Sequence, residues 1–490
     1  MLYQRQCEEE MKVVIVGGGT AGWIASYYLS NVKNGDEIIN ISSDEIPIIG
    51  VGEGTTGRFV HEFSKGQYGL NITELMYKIN ALPKLGIKFR NWSTVNKEFY
   101  SPIDGTYTHD FYIDYSTYVS PTSQFSTLMD NHKTNYVLNG DQLDYNIDGH
   151  AFHIDAYKTS EYFRELSIQN GVKHIEGIVR DFHWPDTLHS VTLEDGTEID
   201  GDVFVDCSGF TRILSESSGW EDYTRYLPVN RAVTFRTSDE KRNEYTVAEA
   251  MDNGWTWEIP TREKVGRGYV YCDEFATDVE QEIENRYGQV EWGKEISFRS
   301  GRLEKFVNKN CVSIGLASAF LEPLQATSIH CTLVQLELFV QEFMSDVRLL
   351  EDDFLAQKYN DMVAKIYDDM RDFVALHYTG GKSDTEFWLH CETMDKPDRV
   401  KAILYLAQAR LTRSFDFDNV VGTVRQESWN PILAGLGHFP QSVINSVMSS
   451  DGASQIFWRE QIEKFRQETG DMVQDNLSAN ELNDLLLSLG

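Results

Sequence analysis

Gly17, Gly19 and Gly22 have the spacing GxGxxG, and they stand between the β-branched run KVVIV and an amphipathic segment of helical period. In that position the first glycine permits a tight turn, the second lets a pyrophosphate approach the backbone, and the third lets the helix pack against the strand. The alternative is a glycine turn that serves packing alone. Because a strand and a helix both flank the pattern, it predicts a dinucleotide-binding turn.

A second candidate site lies in the segment FLEPLQATSIH, which begins at Phe320. Pro323 and the hydroxyl residues Thr327 and Ser328 precede an apolar pattern of helical period, which predicts the start of a helix. The first turn of a helix has free N–H groups and a partial positive charge, which together favour an anion. The sequence therefore predicts an anion site here, with Gln325 beside it.

Two further patterns also have ordinary structural explanations. Gly52, Gly54 and Gly57 repeat the spacing GxGxxG, but they follow a proline-bearing segment, which is more typical of a flexible loop than of a nucleotide site. Trp255 and Trp257 stand two apart, so on a strand they share one face. Core packing and a role at a site are equally compatible with that spacing.

Lysines and histidines give weaker signals. Lys84 and Lys88 in the segment PKLGIKF have a spacing that usually belongs to solvated side chains. His150 and His153 have the separation of a pair of metal ligands, but no third ligand is evident. We therefore predict no metal site.

The elements that must position these residues begin with a βαβ unit. The second strand, in DEIINISS, ends at Ser42, with Asp44 and Glu45 just beyond, so the acidic residue that usually binds the ribose is not clear. Two later buried strands, DVFVDCSG and CVSIGLASAF, predict an α/β fold with a glutathione-reductase-like FAD-binding domain of the GxGxxG Rossmann type. The sequence has no second strand–GxGxxG–helix unit for a nicotinamide cofactor, so we expect the flavin to be reduced elsewhere.

Composition narrows the classes of partner. The 490 residues include 44 basic and 76 acidic ones, a net charge of −32, which argues against nucleic acid and anionic membranes as partners. The six cysteines have no CxxC spacing and indicate reduced, mostly buried thiols. No apolar run approaches the roughly 18 to 20 residues of a membrane span, and the first ten residues lack the apolar core of a signal peptide. We expect a soluble, cytoplasmic protein.

Together these motifs resemble the flavin-dependent halogenases of the tryptophan halogenase family. The resemblance depends mainly on GGGTAGW, residues 17–23, and on GWTWEIP, whose Trp255, Trp257, Ile259 and Pro260 match the family pattern WxWxIP. The segments IPIIGVGEGT, PKLGIKFRNW, DVFVDCSGF, FRSGRLEKF, IGLASAFLEPL and SWNPILAGLG occur in the expected order. They extend the resemblance from residue 12 to about residue 437.

In that family, reduced flavin reacts with oxygen, a halide is oxidised to hypohalous acid, and the acid travels through the protein to a lysine beside an organic substrate. The resemblance implies FAD, supplied as FADH2 by a separate flavin reductase, and a halide ion. The lysine donates a hydrogen bond to hypohalous acid as an ammonium, or is itself halogenated as an amine. The implied residues are Lys84 as the catalytic group; Thr327 and Ser328 for the halide; Trp255, Trp257 and Gln325 as the substrate-side wall; and Gly17, Gly19, Thr20, Ala21, Gly22, Ser42, Gly52, Glu53, Gly315 and Leu324 for FAD.

The chain departs from the family at Gln325 and Ala326, where relatives that halogenate tryptophan read P-L-E-S-T. A glutamine has no basic form near neutral pH and cannot accept the ring proton. Because Lys84 and both tryptophans remain, we expect the chain to be an active halogenase. Because the base is missing, we expect its substrate to be an electron-rich phenol, pyrrole or indole. The alternatives are a flavin-binding protein that has lost halogenation and a flavin monooxygenase.

The predicted domain limits follow from these assignments. Residues 1–99 form the first part of the FAD-binding domain, and residues 100–150 are a polar, β-rich insertion of loops and short strands. Residues 151–345 complete the FAD-binding and halogenation core, and the mainly helical residues 346–490 bind the substrate. The expected partners are a small aromatic substrate and, transiently, a flavin reductase, and a homo-oligomer remains open.

Overall fold

The computed structural model describes residues 11–32, 36–48, 52–66, 68–103, 123–184, 186–239, 241–344, 347–418, 420–449 and 452–489. The predicted insertion lies outside these ranges at residues 104–122, as does Cys7 in the first ten residues. The other five cysteines are free and buried, as the sequence predicts.

The described residues form short strands interspersed with helices, and the long helices fall after residue 326. The strands are β1 Lys12–Val16, β2 Glu37–Ser42, β3 Glu53–Gly54, β4 Leu82–Lys84, β5 Gly86–Arg90, β6 Glu98–Pro102, β7 Tyr136–Asn139, β8 Gln142–Tyr145, β9 Ala151–Ile154, β10 Lys173–Glu176, β11 Val179–His183, β12 Ser190–Leu193, β13 Glu198–Asp200, β14 Val203–Asp206, β15 Trp220–Asp222, β16 Arg231–Arg236, β17 Tyr245–Ala250, β18 Gly254–Pro260, β19 Val265–Tyr271, β20 Glu291–Ser297, β21 Gly301–Leu303, β22 Val307–Asn308, β23 Cys311–Ser313 and β24 Ala319–Phe320. The helices are α1 Thr20–Val32, α2 Gly57–Val60, α3 Ile72–Lys78, α4 Gln124–Asp130, α5 Ala156–Gln169, α6 Val279–Tyr287, α7 Thr327–Phe343, α8 Asp353–Leu376, α9 Glu386–Thr393, α10 Asp398–Ala407, α11 Gln426–Gly435, α12 Gln441–Ser449, α13 Gly452–Asp475 and α14 Ala479–Leu489.

A six-stranded sheet with the order β10-β2-β1-β14-β23-β22 forms the predicted FAD-binding unit. All its neighbouring strands are parallel except β22, which pairs antiparallel with β23. The apolar run KVVIV is buried on both faces in β1, as a strand in a parallel sheet requires. This sheet confirms the βαβ unit and the return of the later strand β14 to its side. The α/β fold class is therefore as predicted.

A seven-stranded sheet, β20-β16-β19-β18-β17-β5-β6, holds the segment with the two tryptophans. A small three-stranded sheet, β3-β9-β4, lies beside it, and its strand β3 consists of two residues of the glycine segment that the sequence suggested to be a flexible loop. The loop prediction was wrong for these two residues, because Glu53 pairs with Ile154 and Gly54 pairs with His153.

Other elements differ in length from the sequence prediction. Only Cys311–Ser313 of CVSIGLASAF joins the parallel sheet; a 3₁₀ turn at Gly315–Ala317 follows, and β24 pairs with β21 instead. The strand-like sequence between residues 231 and 298 is interrupted by α6, which packs an apolar face over the seven-stranded sheet. The long helices predicted after residue 345 are present as α8, α10 and α13.

Candidate functional site

The glycine turn between β1 and α1 is tight for a steric reason. Gly17 has φ +135, and a β-carbon on it would lie 2.2 Å from the Cys207 carbonyl oxygen. A β-carbon on Gly22 would lie 2.0 Å from the Gly17 oxygen, whereas one on Gly19 would meet no atom within 4 Å. The first and third glycines are therefore required by packing, and the second leaves an open backbone surface where a pyrophosphate could approach.

A residue that follows the end of strand β23 packs against this glycine turn. Gly315, which follows β23, has φ +71, and a β-carbon there would lie 2.6 Å from the Ala21 β-carbon. Thr20 and Ala21 begin α1, so its first-turn N–H groups lie at the same edge of the sheet. These residues fit the phosphate part of a dinucleotide.

The polar residues at the end of β2, where the ribose would lie, already have hydrogen-bond partners in the protein. The Ser42 hydroxyl donates to Asn40 Oδ1 at 2.9 Å and contacts His174 Nε2 at 3.0 Å. Asp44 accepts a hydrogen bond from Arg164 at 3.1 Å. Ser42 and Asp44 thus both have protein partners, and the role of Ser42 stays a prediction.

Two cavities flank the start of α7. The first, here called the sheet-side cavity, has a volume of about 770 Å³ and extends over β18, β19 and β20. The second, the helix-side cavity, has a volume of about 1100 Å³ and lies against α8 and residues 421–428. Thr327 lines both cavities. Predicted site residues are divided between them: Gly52, Glu53, Trp257 and Ser328 line the first, and Lys84 and Gln325 line the second.

Helix α7 begins at Thr327, where the sequence predicts a helix start. The preceding residues Gln325 and Ala326 have φ values of +69 and +56, so two successive non-glycine residues are left-handed. This costs conformational energy and turns the chain sharply into the helix. Ala326 has no side chain that could cap the helix, and the first turn contains no acidic residue. The first-turn N–H groups near Thr327 and Ser328 are therefore suited to an anion.

Lys84 is the most deeply buried lysine that lines a cavity, with 2% of its surface exposed. Its Nζ donates to the Thr55 carbonyl at 3.3 Å, and within the described ranges it forms no ion pair. Burial lowers the pKa of Lys84 to about 7, because the ammonium loses its hydration without gaining a carboxylate. The spacing of Lys84 and Lys88 is typical of solvated lysines, but in the structure Lys84 is buried.

Gly54 explains how the amine fits between the cavities. A β-carbon on Gly54 would lie 2.7 Å from Lys84 Nζ and 3.3 Å from the Ala326 β-carbon. Gly54 and Ala326 line the sheet-side cavity, and Lys84 lines the helix-side cavity. We call Gly54, Lys84, Ala326 and Thr327 the partition.

The two tryptophans occupy one face of β18, with ring centroids 6.3 Å apart. Trp257 lines the sheet-side cavity and covers Gly268, where a β-carbon would lie 2.1 Å from its ring. Trp255 lies farther back and packs near Trp92. It lines neither cavity. Their predicted role as a wall stays a prediction.

No sequence motif singles out Tyr378, which the fold places beside Glu322. The Tyr378 hydroxyl donates to Glu322 Oε1 at 2.8 Å, and Trp255 Nε1 donates to Tyr378 Oη at 3.1 Å. Glu322 lines the sheet-side cavity. Burial raises its pKa to about 8. In the same cavity, burial and the neighbouring Asp155 carboxylate raise the pKa of Glu53 to about 7.

Gln325 is held by a histidine that sequence reasoning did not identify. His377 is fully buried, which lowers its pKa to about 4, and its Nδ1 donates to the Phe373 carbonyl at 2.9 Å. The other ring nitrogen, Nε2, is therefore an acceptor for the Gln325 amide, 2.9 Å away. His377 directly follows the end of α8 at Leu376, and no sequence pattern links it to Gln325.

The other residues considered in the sequence analysis, Leu324, His150 and His153, contact neighbouring protein groups. Leu324 is buried with 2% exposure and lines neither cavity, whereas Leu316 lines the sheet-side cavity. His150 contacts Tyr136, and His153 contacts Thr246. Across the part of the chain that the structure describes, no three His, Cys, Asp or Glu side chains are grouped to hold a metal ion. In the same residues, no helix combines the length and apolar character that crossing a membrane requires.

Comparison with known proteins gives consistent matches. A family model described as tryptophan halogenase matches residues 12–451. Tryptophan 6-halogenase SttH from Streptomyces toxytricini is 31% identical over 87% of this chain and 89% of its own length. Its crystal structure has a TM-score of 0.87 at 27% identity, covering 98% of this chain and 100% of that one. Tryptophan 7-halogenase RebH from Lentzea aerocolonigenes is 30% identical over 88% of this chain and 90% of its own. The structure of BrvH, a flavin-dependent halogenase from Brevundimonas sp. BAL3, has a TM-score of 0.82 at 27% identity, covering 98% of this chain and 99% of that one.

Proposed function

This chain belongs to the tryptophan halogenase family of flavin-dependent enzymes, and we propose that it halogenates an electron-rich aromatic substrate by way of hypohalous acid that reaches Lys84. The supporting observation is the position of the Lys84 amine, buried at the partition between two cavities. Such an arrangement suits a reaction whose oxidant is made on one side and used on the other.

The residues present fit FAD. The glycine turn, Gly315 and the first turn of α1 would hold its phosphates, and the sheet-side cavity would take its ring system. When bound in the reduced form, FAD supplies the electrons that let oxygen oxidise a halide. Trp257 lines this cavity with an apolar ring that excludes water. A separate flavin reductase would provide the reduced cofactor.

The halide would lie at the first turn of α7. Thr327 and Ser328 line the sheet-side cavity, and their backbone N–H groups belong to a helix start without an acidic residue. The partial positive charge of the helix end stabilises an anion there.

Lys84 would receive the halogen in the helix-side cavity. With a pKa near 7, a large share of its amine is neutral at physiological pH and has a lone pair that can take the halogen. In the ammonium form it can donate a hydrogen bond to hypohalous acid instead. Burial protects either form from bulk water.

The substrate must lose its ring proton without a carboxylate at residue 325. The Gln325 amide donates to His377 and cannot act as a base. Electron-rich phenols, pyrroles and indoles give intermediates that lose this proton readily, even to water. SttH and RebH are named as tryptophan halogenases, and the glutamine is the reason that we propose a different substrate range for this chain.

The decisive assay combines the purified protein with a flavin reductase, NADH, oxygen, each halide in turn and a panel of aromatic compounds, analysed by mass spectrometry. We expect halogenated products from electron-rich members of the panel. Flavin binding without any halogenated product would favour a protein that has lost halogenation. A hydroxylated product formed without halide would instead indicate a monooxygenase.

A further inference from the structure

A chain of hydrogen bonds leads from the tryptophan motif to the sheet-side cavity. Trp255 Nε1 donates to Tyr378 Oη, and Tyr378 Oη donates to Glu322 Oε1. Glu322 is 2% exposed and lines the cavity. Its second carboxyl oxygen, Oε2, is buried and has no hydrogen-bond partner among the residues that the structure describes.

The direction of these bonds decides which oxygen of Glu322 can hold a proton. An indole N–H only donates, so the Tyr378 oxygen accepts from Trp255 and its single proton must go to Glu322. Oε1 is thereby an acceptor. A proton on Glu322 therefore lies on Oε2, the buried oxygen that has no hydrogen-bond partner among the described residues.

The surroundings of Glu322 favour its neutral form. Two other titratable side chains face it, Tyr378 and Cys391, and burial raises the pKa of both. No lysine or arginine forms an ion pair with Glu322 within the described ranges. An unpaired buried carboxylate is costly, so the group keeps its proton at neutral pH.

The halide-oxidising half of the proposed reaction consumes one proton. Oxygen accepts four electrons, two from FADH2 and two from the halide, so that FADH2, O2, X⁻ and H⁺ give FAD, HOX and H2O. Halogenation then follows as HOX and an aromatic C–H give C–X and H2O, with no further proton required. A residue that donates a proton in the cavity where the halide is oxidised would therefore supply the one proton that this half-reaction consumes.

We propose that Glu322 is the proton donor of the halide-oxidising half-reaction, releasing its proton from Oε2 to the oxygen atom that leaves as water, and that Tyr378 is its positioning residue. This proposal rests on the proposed function. Glu322 becomes a carboxylate in this step and is protonated again by the one H⁺ that the half-reaction takes from the solvent. Its neutral form also matters before the step, since Thr327 and Ser328 line the same cavity and a carboxylate would repel a halide there.

The most informative variant is Glu322→Gln. Glutamine keeps the shape of the side chain and can still donate a hydrogen bond, but it cannot release a proton. We expect FAD affinity, measured by flavin fluorescence, to stay unchanged. The rate of hypohalous acid formation should fall by roughly 10²-fold, as is typical when a general acid is lost, and the consumed oxygen should appear as hydrogen peroxide.

A matched control is Glu244→Gln. Glu244 is also a buried glutamate whose Oε2 has no hydrogen bond among the described residues, although His132 Nδ1 lies 3.8 Å from it. Burial raises the pKa of Glu244 to about 7, and the residue lines neither cavity. We expect the control to form hypohalous acid at the parent rate. Tyr378→Phe should lower this rate less than Glu322→Gln does. Because the hydrogen bond from Tyr378 lowers the pKa of Glu322, its loss should also move the falling limb of the pH profile to higher pH, and an unmoved limb would contradict positioning by the hydroxyl.

Infrared spectroscopy of the FAD-free protein provides a readout that does not depend on turnover. The spectrum of the parent minus that of Glu322→Gln at neutral pH should contain the carbonyl band of a protonated carboxylic acid, while Glu53 and Glu244, whose pKa values are about 7, contribute to both spectra and cancel. Absence of that band from the difference spectrum, or an unchanged rate of hypohalous acid formation in Glu322→Gln, would overturn this proposal alone. If the parent enzyme made no hypohalous acid with any halide, the proposed function would fail as well.

Discussion

Lys84 Nζ occupies the space that a side chain on Gly54 would need, since a β-carbon built on Gly54 would lie only 2.7 Å from it. Gly54 is in β3 and Lys84 in β4, and both strands pair with β9 between them. The sheet β3-β9-β4 thus brings a position without a side chain next to a buried amine. Two strands that pair with one common neighbour fix this relationship more firmly than a loop would.

Gly54→Ala should therefore reduce halogenation by displacing the Lys84 amine from the partition. A shift of about 1 Å in a reacting group can cost on the order of 10²-fold in rate, and we expect a loss of that size in halogenated product with FAD affinity retained. Product analysis by mass spectrometry and a flavin fluorescence titration measure the two quantities. Gly470→Ala on α13 is the control, because a β-carbon there meets no atom within 4 Å. Parent activity in Gly54→Ala would show that the amine does not need this position.

Lys84→Met should abolish aromatic halogenation while hypohalous acid still forms. Methionine retains the length of the side chain but has no nitrogen to take the halogen or to donate a hydrogen bond. We expect at least a roughly 10²-fold loss of aryl halide, the scale of a lost catalytic group, with FAD affinity unchanged and free hypohalous acid captured by a diketone trap. An unchanged rate of aryl halide formation would remove Lys84 from the mechanism.

The same variant has an effect on stability whose sign follows from the lowered pKa. The amine titrates at about 7 in the folded protein and at its ordinary pKa of 10.5 in the unfolded chain, so between these values the unfolded chain binds more protons. The contribution of Lys84 to the free energy of unfolding therefore rises with pH across this window and is most unfavourable below pH 7. Lys84→Met should be more stable than the parent at about pH 6.5, and the difference should shrink by about pH 9.5. Urea unfolding at both pH values measures it, and a constant difference would contradict the lowered pKa.

Much of the fold was accessible from the sequence because its signals are local. The glycine turn, the βαβ unit and the start of α7 at Thr327 each depend on neighbouring residues, and the structure confirms them. The 3₁₀ turn at Gly315 was missed because the apolar run CVSIGLASAF does not show that pairing with β14 ends at Ser313. Strand β3 was missed because its pairing with β9 joins residues about a hundred positions apart.

The site was predicted less completely, since burial and pairing come from distant parts of the chain. The spacing of Lys84 is typical of a solvated lysine, and only the assembled sheets remove it from water. Tyr378 and His377 are adjacent in sequence, yet one contacts Glu322 and the other contacts Gln325. No pattern in the sequence assigns these partners.

Halogenation should have a bell-shaped pH dependence. The rate is expected to rise through the pKa of Lys84 at about 7, because only the neutral amine can take the halogen, and to fall through that of Glu322 at about 8, because only the acid can donate its proton. A profile of kcat between about pH 5.5 and pH 9.5, with halide and substrate saturating, measures both limbs. The residual activity of Glu322→Gln should lack the falling limb. A rate that decreases through pH 7 would indicate that the ammonium form of Lys84 is the active one.

Gln325→Glu should extend the substrate range towards tryptophan. A carboxylate at this position can accept the ring proton, and a general base typically contributes on the order of 10² to 10⁴-fold; we expect at least a tenfold faster reaction with tryptophan and little change with phenols.

The gain depends on His377. In the parent its Nε2 accepts a hydrogen bond from the glutamine amide, so a carboxylate would face a lone pair unless the ring gains a proton. The pKa of His377, about 4 in the parent, should therefore rise in Gln325→Glu, and an NMR titration of the imidazole measures it. Gln325→Leu is the control, because it removes the amide without adding a base and should show no gain with tryptophan. If Gln325→Glu raised the His377 pKa but left tryptophan halogenation unchanged, the glutamine would not be what sets the substrate range.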